Sequence, residues 1–95
     1  MPATLLTENE ITSRLGAVPA WSRNGPQIER TVKLKNFVEA IKFVDAVAGI
    51  AEKHNHHPDI DIRWNQVKLV LSTHSAGGLT ENDFTVAQEM DDLPS

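Results

Sequence analysis

The fold is decided by residues 59–71, which read DIDIRWNQVKLVL. Apolar and polar residues alternate on both sides of a polar pair, and this period of two is typical of strands that are buried on one face. With Asn65-Gln66 as a two-residue turn, Trp64 pairs with Val67 and the segment predicts an antiparallel hairpin. The apolar face of this hairpin comprises Ile60, Ile62, Trp64, Val67, Leu69 and Leu71.

A second hairpin is predicted nearer the N-terminus. Residues 20–23 and 27–34 flank Asn24-Gly25, a dipeptide that favours tight hairpin turns. Ile28, Val32 and Leu34 share one parity of the second run, although Arg30 interrupts this apolar face. The two hairpins together predict a four-stranded antiparallel sheet.

Three helix-start signals account for the rest of the chain. Each is a capping residue followed three positions later by an acid, and the pairs are Thr7 with Glu10, Asn36 with Glu39, and Thr80 with Asp83. We expect the first helix to end at Gly16 and the second near His54. The order α-β-β-α-β-β-α predicts an α+β fold, with one domain over residues 1–95 and three helices packed on the apolar face of the sheet.

The bulk composition excludes several classes of function. A formal net charge of -4 provides no basic surface, so we expect no nucleic-acid partner. Cysteine is absent, which rules out a disulfide framework and a cysteine nucleophile. No segment has the length or the flanks of a membrane span or a secretion signal, so we expect a cytoplasmic protein without a membrane partner.

All four histidines lie between residues 54 and 74. Pro58 cannot continue a helix and restricts the residue before it, so His56 and His57 are expected in an exposed turn. The pairing of Trp64 with Val67 then sets His57 opposite His74, with Cβ atoms about 5 Å apart. An unperturbed pKa of about 6.5 suits imidazoles to acid and base work near neutral pH.

Two acids and a rival site stay open from the residues alone. Glu52 lies one helical turn before His56 and could orient an imidazole if the last turn remains helical. Asp83, at the third position of a helix, more often satisfies free backbone amides than it takes part in catalysis. The rival is a zinc site made of His54, His56 and His74, but the i, i+4 spacing of helical zinc-binding histidines is absent. We therefore expect no metal.

Four spaced motifs run through the second half of the chain, namely EKHNHHP at 52–58, Trp64, STH at 72–74 and GGLTEND at 77–83. Together they resemble the pterin-4a-carbinolamine dehydratase family. The resemblance implies removal of water from a 4a-hydroxytetrahydropterin to give the quinonoid dihydropterin, as in tetrahydrobiopterin recycling, without a cofactor or a metal. This reaction needs a proton for the hydroxyl leaving carbon 4a and a base for the proton on nitrogen 5.

The resemblance also implies roles for individual residues. His56 and His74 match the acid/base pair, and His57 matches a binding or orienting group. The accessory or substrate-binding positions are Glu52, Pro58, Ser72, Thr73 and Asp83. The chain departs from many relatives at Ile60, where they have an aromatic residue, and from some at Asn55, where they have an acid.

The partners that the resemblance implies are a small-molecule pterin and further copies of the chain. A small sheet with exposed edges and Val70 on its outer face has surface to cover, so we expect a homo-oligomer, either a dimer or a tetramer. Animal members of the family also act as dimerisation cofactors for a transcription factor. That binding role on the same fold is the alternative to catalysis.

Overall fold

The computed structural model describes residues 4–94, and its elements follow the predicted order. They are α1 (Glu8–Leu15), β1 (Ser22–Asn24), β2 (Gln27–Lys33), α2 (Phe37–His54), β3 (Asp59–Arg63), β4 (Gln66–Leu71) and α3 (Glu81–Asp91). A one-turn 3₁₀ helix at His74–Ala76 lies between β4 and α3. The α-β-β-α-β-β-α prediction is confirmed. No helix within residues 4–94 is both long and apolar enough to cross a lipid bilayer.

The four strands form one antiparallel sheet in the order β1-β2-β4-β3. β4 is therefore an inner strand, and β3 is an edge strand. The inward-facing residues of β4 and the helices form the core, which includes Val67, Leu69, Leu71, Phe43, Val47, Phe84 and Met90. The predicted sheet with helices on its apolar face is confirmed.

Arg30 interrupts the apolar face of β2, and the structure shows how its charge is satisfied. Its Nη1 atom lies 2.6 Å from Oδ1 of Asp91 at the end of α3. The same oxygen accepts a hydrogen bond of 2.8 Å from the indole nitrogen of Trp21. A partly buried charge is tolerated when it is paired and hydrogen-bonded in this way.

The predicted turns of both hairpins are wrong. The first turn is Gly25-Pro26, because Asn24 pairs with Gln27, and β1 begins at Ser22 rather than at Ala20. Gly25 has a φ of 59°, which the first central position of such a turn favours. Pro26 has no N–H to donate, so it fits the turn better than the strand.

The turn of the second hairpin is Trp64-Asn65 rather than Asn65-Gln66, and Arg63 pairs with Gln66. Asn65 is buried, and two hydrogen bonds to Leu34 satisfy its polar groups. Its side-chain amide donates to the Leu34 carbonyl at 3.0 Å, and its own carbonyl accepts from the Leu34 N–H at 2.7 Å. These contacts join segments distant in sequence, which local turn preferences cannot reveal. Trp64 is left in the turn at a φ of 53°, and 69% of it is exposed, so it is not part of the apolar face.

This change of turn shifts the β3–β4 register by two residues. Ile60 and Ile62 stay on the core side, opposite Leu69 and Val67, because a shift of two preserves the face. The ladder ends at the pair of Asp59 with Val70, so the predicted opposition of His57 and His74 is wrong.

The helix caps form as predicted. Thr7 and Glu10 make a complete capping box, with bonds of 2.8 and 3.2 Å, and the Asn36 side chain accepts from the Glu39 N–H at 2.9 Å. These bonds satisfy amides at the first turn that have no partner within the helix.

The end of α2 is a Schellman motif. Asn55 adopts the left-handed conformation, with φ 48° and ψ 45°, and its N–H bonds to the Glu52 carbonyl at 3.2 Å. The N–H of His56 reaches back to the Ala51 carbonyl at 3.0 Å. Asparagine tolerates this conformation better than most residues. The chain therefore reverses at Asn55, immediately before the histidine pair.

Replacement of Asn55 tests this reversal. We expect Asn55→Val to lower the free energy of unfolding by about 1–2 kcal/mol, because a β-branched residue is strained at this φ. The matched control is Asn55→Gly. Its free energy of unfolding should be close to that of the parent, because glycine adopts this conformation freely. Urea unfolding measures both, and equal stability of the two variants would contradict the assignment.

Candidate active site

The reversal at Asn55 leaves His56 close to the start of α3. Its Nε2 atom lies 2.6 Å from Oδ1 of Asp83, which is 27 residues further along the chain. The Asp83 side chain is 0% exposed and the His56 side chain is 11% exposed. This pair joins the α2–β3 turn to the first turn of α3.

The second oxygen of Asp83 is also fully engaged. Oδ2 accepts from the Thr80 N–H at 2.9 Å and from the Thr73 hydroxyl at 2.8 Å. The Thr73 and Thr80 hydroxyl oxygens are themselves 2.8 Å apart. Asp83 therefore caps α3, as the capping pattern predicts, and holds a histidine with the same carboxylate.

An open cleft of about 760 Å³ adjoins this pair. One wall is formed by the N-terminal segment and α1, and the other by the His54–His56 turn, the 3₁₀ region and the start of α3. At its rim, both carboxylate oxygens of Glu81 lie 2.9 Å from the Arg14 Nε atom. This hydrogen bonding raises the pKa of the Arg14 guanidinium above its ordinary value. The cleft offers polar and apolar surface beside the His56 ring.

His57 takes a different partner. Its Nε2 atom lies 2.5 Å from Oε2 of Glu52, and both side chains are more than half exposed. The structure thus pairs Glu52 with the imidazole of His57 rather than with that of His56. The reversal at Asn55 explains the difference, because it carries His56 away from the last turn of α2 towards α3.

The structure also shows where the other predicted site residues lie. His74 is exposed at the first position of the 3₁₀ helix, and Pro58 is half-buried just before β3. Ser72 donates from its hydroxyl to the Pro26 carbonyl at 2.8 Å, which ties the end of β4 to the first hairpin. Neither His57 nor His74 is among the residues that form the wall of the cleft.

His54 joins α2 to α3 through Glu89, which also pairs with Lys53 at 3.0 Å. The Lys53 hydrogen bond, and then that of His54, lowers the pKa of the Glu89 carboxyl below its ordinary value. Within residues 4–94, no group of three or more histidine, aspartate or glutamate side chains is arranged to hold a metal ion.

Sequence reasoning missed three contacts in the region. Thr80 was identified as a helix cap, and its hydroxyl additionally contacts Thr73. Arg14 reaches the cleft from α1, and no local pattern indicates this. Leu5 packs on Gly78, where an added Cβ would lie 3.0 Å from Leu5 Cδ2, so a larger residue there would require the Leu5 side chain to shift.

Comparison with known proteins places these features in a family. Residues 4–93 match the family model described as pterin 4 alpha carbinolamine dehydratase. A Nocardia farcinica protein, provisionally named as such a dehydratase, is 50% identical over 93 residues, which cover 98% of each chain. A Roseiflexus castenholzii protein with the same provisional name is 52% identical over 91 residues, covering 96% of this chain and 98% of the relative.

Solved structures agree with this. A Brucella melitensis protein described as a transcriptional coactivator/pterin dehydratase superposes with a TM-score of 0.87 at 38% identity, covering 90% of this chain and 94% of that one. A pterin dehydratase-like protein identified as a RuBisCO assembly factor shares the fold, with a TM-score of 0.61 at 21% identity over 75% of this chain and 82% of its own. The family match over nearly the whole described chain shows that this protein belongs to the pterin 4 alpha carbinolamine dehydratase family.

Proposed function

We propose that the protein removes water from 4a-hydroxytetrahydropterin to give quinonoid dihydropterin, as a step in tetrahydrobiopterin recycling. The observation that carries this proposal is the buried Asp83–His56 pair beside an open cleft, in a chain that belongs to this family. A histidine held by a buried carboxylate is an arrangement suited to general acid and base catalysis.

The proposed reaction is balanced without a redox partner. The bond between carbon 4a and its hydroxyl oxygen breaks, the hydroxyl leaves with an added proton as water, and nitrogen 5 gives up its proton. One proton is supplied and one is taken, so the total number of protons on an imidazole pair is unchanged, and a proton transfer between the two rings or through solvent restores the starting state.

His56 is the proposed acid/base group that lies beside the cleft, and His74 is its proposed partner. His74 is exposed one residue after Thr73, which itself contacts Asp83, so the two histidines flank the same network. The pair of His57 with Glu52 is a proposed binding or orienting element next to them. Pro58, Ser72 and Thr73 are proposed to shape or contact the pterin-binding surface.

The direct test is an absorbance assay. We expect the purified protein to accelerate the formation of quinonoid dihydropterin from freshly prepared 4a-hydroxytetrahydropterin, and to do so after dialysis against a chelator. Heat-inactivated protein serves as the control for buffer-catalysed dehydration. A rate no greater than that of buffer would refute the proposal.

Single replacements test the two proposed acid/base groups. We expect His56→Ala and His74→Ala each to lower kcat by roughly two to four orders of magnitude, as is typical for loss of a general acid or base. Urea unfolding distinguishes lost catalysis from lost folding, above all for His56, whose removal leaves the Asp83 charge without its imidazole partner. A loss below threefold in a folded variant would remove that residue from the mechanism.

We further propose that the chain forms a homo-oligomer by antiparallel pairing of β3 with β3 of a second copy. β3 is an edge strand, and its core-side residues Ile60 and Ile62 are 38% and 37% exposed. Pairing centred on Ile62 would set Asp61 of each copy opposite Arg63 of the other and bring the two Ile62 side chains together. Opposite charges across a strand pair are stabilising.

Charge exchange tests this interface. We expect Asp61→Arg to raise the dissociation constant of the oligomer at least about tenfold, because each Arg63 would then face another arginine. The double variant with Asp61→Arg and Arg63→Asp should restore association, since it exchanges the charges without changing their sum. Light scattering coupled to size-exclusion chromatography measures both. A parent chain that stays monomeric at high concentration would contradict the proposal.

A further inference from the structure

The polar network around Asp83 determines which nitrogen of His56 is free to react. Its members come from three segments, and Thr73, Thr80 and Asp83 are all buried. Because solvent supplies no hydrogen-bond partners there, each polar hydrogen of these residues must be donated in one of the contacts that the structure shows.

The direction of each bond in this network follows from counting donors. The Thr80 N–H can only donate, and it donates to Asp83 Oδ2. Thr73 has one hydroxyl hydrogen, which it gives to the same oxygen. In the contact between the two hydroxyls, Thr80 must therefore be the donor and Thr73 the acceptor. The result is a directed chain from Thr80 through Thr73 to Asp83.

Oδ2 accepts two hydrogen bonds, which is the contact that a carboxylate oxygen makes with donors. An ionised carboxylate only accepts hydrogen bonds, so Oδ1 requires a hydrogen atom on the His56 nitrogen that faces it at 2.6 Å. The other tautomer would set the Nε2 lone pair against a negatively charged oxygen. His56 is thereby held with its hydrogen on Nε2.

The Nδ1 atom of His56 is left free by this arrangement. None of the hydrogen bonds formed within residues 4–94 engages it, and every buried side-chain nitrogen and oxygen in that range has a partner. Nδ1 is therefore reached by solvent, in a ring that borders the cleft. A neutral Nδ1 accepts a proton, and the imidazolium returns it from the same atom.

We propose that Nδ1 of His56 is the atom that exchanges protons with the substrate, and that Thr73 and Thr80 are positioning residues that maintain this tautomer through Asp83. The role in turnover rests on the proposed dehydratase function, whereas the tautomer itself does not. Neither threonine needs to touch the substrate through its hydroxyl for this role.

The tautomer is measured by NMR on ¹⁵N-histidine-labelled whole protein without substrate, at about pH 8, where an unperturbed imidazole is neutral. We expect the His56 ring to show a protonated Nε2 and a bare Nδ1, assigned by comparison with the His56→Gln variant. A His56 ring protonated on Nδ1 would overturn the inference, whatever the activity of the protein.

The positioning role is tested by replacing Thr73. We expect Thr73→Val to make the His56 ring a mixture of tautomers and to lower kcat about tenfold, with little change in KM, because one charge-directed hydrogen bond is lost. Thr73→Ser keeps the hydroxyl and should restore both readouts. Thr85→Val, at an exposed position of α3, is the matched control for a threonine replacement in this region.

The outcomes separate the two proposals. A folded Thr73→Val variant with the parent tautomer and the parent kcat would overturn the positioning role. If Thr73→Val does not fold, the Thr73→Ser and Thr80→Val variants serve as the test. Thr80→Val leaves Thr73 able to donate to Asp83, so it should change the tautomer ratio and kcat less than Thr73→Val would. A correct tautomer in a protein that does not dehydrate the pterin would refute the proposed function and leave the tautomer assignment standing.

Discussion

The buried carboxylate of Asp83 is the group on which the arrangement of this region depends. It accepts hydrogen bonds from the His56 ring, the Thr73 hydroxyl and the Thr80 N–H. These groups belong to the α2–β3 turn, the end of β4 and the start of α3. A buried charge is costly unless it is hydrogen-bonded, and loss of one hydrogen-bond partner from a buried group typically costs about 1–3 kcal/mol, or more when that group is charged. The three segments are therefore held together by one electrostatic requirement.

The same carboxylate that caps α3 also forms part of the candidate active site. Asp83 stands at the third position of α3, where an acid caps free amides, and the same carboxylate has a second oxygen to offer. The capping function fixes where the carboxylate lies, and its remaining oxygen then fixes the His56 ring. A structural and a chemical role for Asp83 are thus compatible, because the two oxygens are occupied independently.

The element order and the caps could be predicted because their causes are local. The causes act within a few residues of the chain. They are the alternation of apolar and polar residues along Asp59–Arg63 and Gln66–Leu71, and capping pairs such as Thr7 with Glu10. The turn of the second hairpin could not be predicted, because Asn65 is anchored by Leu34, 31 residues away. Apart from Trp64, the predicted apolar face was nevertheless correct, since the register error was two residues and side chains alternate with that period.

The sequence by itself determined the fold class, the histidine-rich turn before Pro58 and the motifs that mark the family, because each of these is written in neighbouring residues. Only the tertiary structure decided which acid meets which histidine. Glu52, one helical turn before His56, bonds instead to His57, and the distant Asp83 receives His56. The physical reason is the left-handed residue Asn55, which reverses the chain, together with the packing that brings the start of α3 to the same place.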